Sequence, residues 1–277
     1  MTSSKVLLIT GVSSGFGRAL AQEALAAGHR VVGTVRSAAA KDEFESLSAN
    51  APFARVLDVT DFDAIPGVVA EIESSVGPID VLVNNAGYGH EGVMEEAPLS
   101  EMRQQFDVNV FGAVAMMKAV LPFMRERRRG HILNITSMGG HITMPGIAYY
   151  CGSKFALEGI SEALGKEVAA LGIAVTAVAP GSFRTDWAGR SMKRTPRSIP
   201  DYDASFDPIR EAREAKSGKQ PGDPAKAARA MLAAIAAGHP PAHLLLGSDA
   251  LKLVRDKLST FGEEMSAWES VTVSTDG

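Results

Sequence analysis

Residues 5–10 form a short apolar run that ends in Thr10-Gly-Val-Ser-Ser-Gly-Phe-Gly17, and an alanine-rich helical stretch over 18–27 follows, stopped by Gly28. A run of this length bounded by glycines reads as a strand buried on both faces, the kind found in parallel sheets. Strand, glycine loop and helix in that order let backbone N–H groups and a helix N-terminus approach a pyrophosphate. Gly11 makes the tight turn, Gly15 permits the close approach, and Gly17 lets the helix touch the sheet. A merely flexible turn is the rival, and the flanking strand and helix weigh against it.

The alternation of strand and helix continues. Arg30-Val-Val-Gly-Thr-Val35 reads as a second strand and ends in Arg36. At this distance from the glycine loop an acid would accept the ribose 2′-hydroxyl of NAD, whereas an Arg accommodates the 2′-phosphate of NADP. No acid is present, so NADP is favoured; an Arg that simply faces water is the plain alternative. A third strand over 53–57 ends at Asp58-Val59, where ligands bind in such sheets, so Asp58 is either an adenine contact or a loop cap. Thr60 or Asp61 caps the helix that follows. A fourth strand over 79–83 leads into Asn84-Asn-Ala-Gly87, residues that allow close approach of a cofactor and can also bond neighbouring strands. From Pro98 or Ser100 to residue 129 the apolar residues Phe106, Val110, Val114, Met117 and Leu121 recur at helical spacing, with Asn109 inside the run.

A fifth strand over 131–135 leads to Ser137 and then to Ile147-Ala-Tyr-Tyr-Cys-Gly-Ser-Lys154. If a helix begins near Ile147, Tyr150 and Lys154 share one face about 6 Å apart at Cβ, and the strand end can bring the Ser137 hydroxyl to the phenol. At about 5 Å and an effective dielectric near 20, one positive charge favours a phenolate by roughly 3 kcal/mol, or two to three pKa units. The positive helix end acts in the same direction. The sequence therefore predicts a Tyr150 acidified by Lys154, although a Tyr and a Lys one turn apart also occur on many helices without function. Tyr149 has no lysine four residues on, so the chemistry falls to Tyr150.

A sixth strand over 172–179 ends in Pro180-Gly-Ser-Phe-Arg-Thr185, a rigid turn that could press backbone against a nicotinamide, with Thr185 reaching its amide or a phosphate. From 186 to about 221 regular pattern fails, and the segment reads as a substrate lid or as a surface insertion. A helix from Asp223-Pro224 to 237, a strand over 243–246 and a last helix over about 249–268 complete the chain.

At 277 residues the chain suits one large α/β domain over 1–277. A net charge of −4 argues against nucleic acid as a partner. The basic run over 125–129 reads as a solvated helix end. The single cysteine, Cys151, rules out an intrachain disulfide, and six scattered histidines give no support for a metal site. Met1-Thr-Ser-Ser-Lys5 runs straight into the first strand with no apolar leader, so a cytoplasmic protein without membrane attachment is expected.

Together these pieces resemble the short-chain dehydrogenase/reductase family. The matching residues are Thr10-Gly-x-x-x-Gly-x-Gly17, Asp58, Asn84-Asn-Ala-Gly87, Asn109, Ser137, Tyr150-x-x-x-Lys154 and Pro180-Gly181, in order over roughly 5–185. The tail is similar to members near the 17β-hydroxysteroid and retinol dehydrogenase-like branch. The resemblance implies an α/β fold, a single doubly wound parallel sheet of Rossmann type with helices on both faces and a small C-terminal substrate lid over about 186–222. It implies that Tyr150 protonates a carbonyl oxygen as hydride arrives from the nicotinamide, or acts as base in reverse. Lys154 would lower its pKa and hold the nicotinamide ribose, and Ser137 would orient the carbonyl. Asn109 would kink its helix and hold a water linking Lys154 to solvent. The cofactor would be held by Gly11, Ser13, Ser14, Gly15, Phe16, Gly17, Arg36, Asp58, Val59, Asn85, Ala86, Gly87, Pro180, Gly181, Phe183 and Thr185 with Tyr150 and Lys154, and no step needs a metal. The glycine loop lacks a Lys or Arg just before Gly15, so phosphate recognition rests on Arg36 and nearby serines, and NAD(H) use stays open. A pocket of Met138, His141, Met144, Tyr149, Phe183 and Trp187 suggests a lipophilic carbonyl or alcohol, with His141 as wall or surface rather than a second base. A homodimer or homotetramer built on the helices around 100–129 and 148–171 is implied. The rivals are a catalytically silent NADP(H)-binding sensor or scaffold and a 3-oxoacyl-thioester reductase, which should show a basic docking surface.

Overall fold

A computed structural model describes residues 4–47 and 52–277; the first three residues of the expected leaderless start lie outside them. The chain begins with β1 (Val6–Thr10), α1 (Gly15–Ala26), β2 (Arg30–Val35), α2 (Ala38–Glu45), β3 (Phe53–Val56), α3 (Ala64–Ser75) and β4 (Val81–Asn84). Next come a short β5 (Gly89–Glu91), α4 (Leu99–Phe106), α5 (Gly112–Arg127), β6 (Gly130–Ile135), α6 (Ala148–Val168) and β7 (Ile173–Pro180). β8 (Met192–Arg194), α7 (Asp203–Ala215), α8 (Pro224–Ala236), β9 (His243–Leu246) and α9 (Ser248–Val273) follow.

Seven strands form one parallel sheet in the order β3-β2-β1-β4-β6-β7-β9. The chain steps outward from β1 to β3, returns past β1 to β4, and steps outward the other way, which is the doubly wound sheet the sequence predicts. Side chains alternate across the sheet. Leu7 and Ile9 join α1 and α8 on one face through Leu20, Ala24 and Met231. Val6 and Leu8 join α3 and α5 on the other through Ile72, Met116 and Val120. Each such fully buried aliphatic side chain contributes about 1.5–3 kcal/mol. An amide relay also crosses the sheet, with Asn84 Nδ2 donating to Asn134 Oδ1 at 2.8 Å and Asn134 Nδ2 to Ser161 Oγ at 2.8 Å. It fixes β4, β6 and α6 to one another. The reversal of direction between β1 and β4 leaves a crevice at the carboxyl ends of the strands, where ligands bind in such sheets.

The helix over 99–127 is interrupted where a kink at Asn109 is expected, by a π turn, Asp107–Phe111. Leu99–Arg127 has the length and mean hydropathy, 1.4, to cross a membrane, but Met116, Met117, Val120 and Met124 are packed into the core. The segment over 186–221 is not without pattern, because it holds β8 and the 13-residue α7. β8 pairs in parallel with β5, which the sequence also did not announce. α7 is docked by charge: the fully buried Glu91 on β5 takes ion pairs from Arg194 and Arg210 at 3.2 Å each and from Arg213. Asp61, rather than Thr60, accepts from the first turn of α3 through Ala64 N, at 3.2 Å.

Candidate active site

A cleft of about 1620 Å³ lies over the carboxyl ends of the strands. At one end is the glycine loop. Gly11 and Gly15 have φ of +71° and +58°, a left-handed backbone that strains any other residue. A Cβ on Gly11 would sit 3.1 Å from Ala86 Cα. Ser14, the N-cap of α1, makes no side-chain capping bond, so the first-turn N–H groups are left for an anion. Gly11, Ser13, Ser14, Gly15 and Phe16 all line the cleft.

Gly17 does not line the cleft. A Cβ there would lie 2.3 Å from Gly11 O and 2.4 Å from Asn85 Nδ2, so its part is to let helix and loop close together. Asn85 borders the cleft, yet its amide donates to Thr10 O at 2.9 Å and Gly11 O at 2.8 Å. Thr10 Oγ1 in turn accepts from Asn85 N and Ala86 N. The Asn-Asn-Ala-Gly segment therefore straps the glycine loop, and only Ala86 and Gly87 offer the cleft a small surface.

Arg36 lines the cleft at the end of β2 and makes no side-chain hydrogen bond or ion pair among the described residues. Asp58 and Val59 line it too, but Asp58 Oδ1 already accepts from Thr60 N at 2.9 Å and Thr60 Oγ1 at 2.8 Å, the loop-cap alternative realised. On the far side Phe16 and Phe183 meet edge to face at 5.2 Å, and Thr185 faces Gly15. Gly181 has no room for a Cβ because Asp249 Oδ1 would be 2.3 Å away. Asp249, which sequence reasoning passed over, holds this turn by accepting from Ser182 N at 2.8 Å.

α6 starts at Ala148, so Tyr150 is in its first turn and Lys154 one turn on, as the spacing predicts. Lys154 Nζ donates to Ile135 O at 2.8 Å and lies 5.8 Å from the centre of the Tyr150 ring. Ser137 stands beside the Tyr150 ring at Gly139, and its Oγ accepts from Gly139 N at 3.0 Å. Trp187 packs on Tyr150 with ring centres 5.1 Å apart, and its buried indole N–H has no well-formed hydrogen bond.

The acidity of Tyr150 runs against expectation. Burial pushes its pKa up to about 12, and the nearby polar groups of Ser137 and Trp187 offset only part of this. Lys154 is itself buried, and its pKa is lowered to about 8 by desolvation against the pull of Glu158. A single Coulomb pair at fixed dielectric leaves out the cost of burying the phenolate, which is the largest influence on Tyr150 here. The phenol is therefore a proton donor at rest.

Asn109 is buried outside the cleft lining. Its Oδ1 accepts from Tyr88 N and its Nδ2 donates to Tyr88 O and Ser153 Oγ, each at 3.1 Å. It positions Tyr88 and α6 rather than facing a reactant. Of the expected pocket wall, Met138, Met144, Phe183 and Trp187 line the cleft. Tyr149 does not, because its hydroxyl donates to Ala97 O at 2.8 Å. Nor does His141, which turns to Glu158 at 3.2 Å. His243 Nδ1 reaches the same carboxylate at 3.0 Å, so two of the six scattered histidines do converge. Burial drives the Glu158 pKa upward, but the pull of His141, Thr136 and His243 outweighs it and leaves the carboxylate ionised. Thr136 and His243 hydrogen-bond the carboxylate, whereas His141 Nε2 lies near it without a well-formed bond.

Sequence reasoning missed the cationic rim. Arg190, Lys193, Arg213, Lys216 and Lys219 all line the mouth. The basic content of residues 186–221 was the available signal.

A family model described as short chain dehydrogenase matches residues 5–195. An oxidoreductase of Botryotinia fuckeliana, BOA17, is 34% identical over 273 residues, covering 98% of this chain and 99% of its own. A 3-ketodihydrosphingosine reductase of Bacteroides thetaiotaomicron is 42% identical over 73% of each chain. The 3-oxoacyl-[acyl-carrier-protein] reductase FabG of Haemophilus influenzae is 36% identical over 66% of this chain and 75% of its own. Among solved structures, a short-chain dehydrogenase from Streptomyces avermitilis superposes with a TM-score of 0.91 at 41% identity, covering 99% of this chain and 100% of that one. ElxO with NADP bound superposes with a TM-score of 0.75 at 25% identity, covering 90% and 100%. With the strapped glycine loop, the parallel sheet and the Ser-Tyr-Lys wall already in place, these matches leave one conclusion: the chain belongs to the short-chain dehydrogenase family and is an oxidoreductase of that family.

Proposed function

We propose that the protein transfers a hydride between NADP(H) and a carbonyl or its matching secondary alcohol, with Tyr150 as acid or base. The observation that carries this reading is Ser137, Tyr150 and Lys154 on one wall of a cleft that also holds the glycine loop and an Arg36 with no ion pair among the described residues. Bound nicotinamide supplies the hydride in reduction and accepts it in oxidation. Tyr150 donates its proton to the carbonyl oxygen, and Ser137 bonds the charge that develops there. Lys154 faces the phenolate that remains. A phenol with its pKa pushed up to about 12 holds its proton at neutral pH and so stands ready as the acid for reduction.

The glycine loop and the unfilled N-terminus of α1 suit a pyrophosphate, and Arg36 suits a 2′-phosphate. The NADP bound to the neighbour ElxO supports the same choice. Arg36→Asp should raise KM for NADPH about tenfold or more, the worth of one charge-assisted bond, and change KM for NADH little. An unchanged ratio of the two would remove Arg36 from cofactor choice.

The cationic rim favours a second, narrower reading in which the substrate carries an anionic group beyond an apolar chain. Arg190 is paired with Asp186 at 2.6 Å, Lys193 with Glu101 at 3.4 Å, and Arg213 with Glu91. Lys216 and Lys219 have no ion-pair partner among the described residues, while Met138, Met144, Phe183 and Trp187 supply an apolar wall. A 3-oxoacyl chain on an anionic carrier has this form, and FabG is named as a 3-oxoacyl-[acyl-carrier-protein] reductase. The double variant Lys216→Gln/Lys219→Gln should raise KM for an anionic 3-oxoacyl thioester about tenfold through lost charge pairing. Turnover of a neutral aryl ketone should stay level. Equal losses on both substrates would count against an anionic substrate.

A further inference from the structure

We propose that α9 is a self-association surface, closed by the same helix of a second copy running antiparallel to it. Ala250 and Val254 fix the first turns of α9 to the fold, and they are its only buried residues. The remaining stretch, 255–273, makes about five turns at 3.6 residues each. Most of a helix's stability in a protein comes from packing an apolar face, and this stretch buries none within one chain, so the surface that stabilises it lies outside that chain.

The sequence of the helix says what that surface is. Leu251, Val254, Leu258, Phe261, Met265 and Trp268 follow one another at intervals of three and four, the a/d seam of a coiled coil. Beyond Val254 the seam is open: Leu258 is 63% exposed, Phe261 48%, Met265 54% and Trp268 64%. An isolated exposed apolar residue is ordinary, but four in one stripe are not.

Charge selects the partner and its direction. Lys252, Arg255 and Lys257 lie in the first half of α9, where of the two acids Asp249 accepts from Ser182 N and Asp256 is tied to Lys252. Glu263, Glu264 and Glu269 lie in the second half, which has no Lys or Arg. Two parallel copies would set basic beside basic and acidic beside acidic. Two antiparallel copies, with Leu258 seated on Trp268, set Lys257 of each beside Glu269 of the other. With Leu258 of one copy against Trp268 of the other, and Phe261 against Met265, Gly262 falls near the crossing. A Cβ there meets nothing within 4 Å, so the helices have room to approach. This surface is separate from the helices around 100–129 and 148–171 on which the expected oligomer rests, and it is independent of the catalytic reading.

Sedimentation velocity on the full chain tests the proposal, with circular dichroism melting as the check that each variant is folded. Phe261→Glu/Trp268→Glu should halve the mass of the wild-type assembly. Arg255→Glu/Lys257→Glu and Glu264→Lys/Glu269→Lys should each associate about tenfold more weakly alone, and an equimolar mixture of the two should recover the wild-type mass. The proposal is overturned if wild type and Phe261→Glu/Trp268→Glu have the same mass across the concentration range, or if the mixture of charge variants fails to recover.

Discussion

Tyr150→Phe should lower kcat for NADPH-dependent carbonyl reduction by about 10²- to 10⁴-fold, the usual range for loss of a positioned general acid. The substitution removes one oxygen and keeps the ring, so the contact with Trp187 at 5.1 Å and the seat of α6 are retained. NADPH affinity, read by direct titration, should change by less than about threefold, because the lost group acts mainly in the transition state. Turnover at the wild-type rate would show that another group supplies the proton. A fall in affinity with no fall in kcat would show that the hydroxyl only binds.

Gly17→Ala should be nearly as damaging, though Gly17 faces no reactant. Its new methyl group would overlap Gly11 O at 2.3 Å and Asn85 Nδ2 at 2.4 Å. Neither neighbour can yield freely: Gly11 has a left-handed backbone, and Asn85 is bonded to Thr10 O and Gly11 O. Forcing a methyl group into such packing costs about 1–3 kcal/mol in stability. The larger effect should be on cofactor binding, since the shift opens the loop that the strap holds shut. Expected together are a lower melting temperature and a loss of NADPH affinity of about tenfold or more. A variant with wild-type melting and wild-type affinity would show that loop and strap are not coupled.

Much of the fold was legible because the features that specify it are local. β1 is a continuous apolar run up to Thr10 and β2 is buried from Val31 to Val35, because both faces of a parallel strand are covered, and Gly28 follows α1 with φ of +82°. Tyr150 and Lys154 were readable from helical spacing alone. What was not legible depends on contacts distant in sequence. α7 carries Pro208 in its interior and one buried residue, Phe206, so it shows little helical pattern. Its docking rests on Glu91, more than a hundred residues earlier. His141 and His243 meet only because Glu158 lies between them in space. Asn109 could be located in a helix, but neither its π turn nor its bonds to Tyr88 are written in the apolar repeat. The sign of the Tyr150 shift failed for the same kind of reason, because spacing gives the distance to a charge and not the depth at which both groups are buried.

The most direct measurement is the pH dependence of kcat/KM for carbonyl reduction with NADPH, in wild type and in Glu158→Gln. Burial lowers the Lys154 pKa to about 8, against the pull of Glu158. The ammonium that faces the nascent Tyr150 phenolate is therefore present below that pH and lost above it. Wild type should hold a level rate up to about pH 8 and then decline, and Glu158→Gln should decline at lower pH because the charge that props up Lys154 is gone. A rate that stays level to about pH 10, or a decline that Glu158→Gln leaves in place, would contradict a proton transfer supported by Lys154.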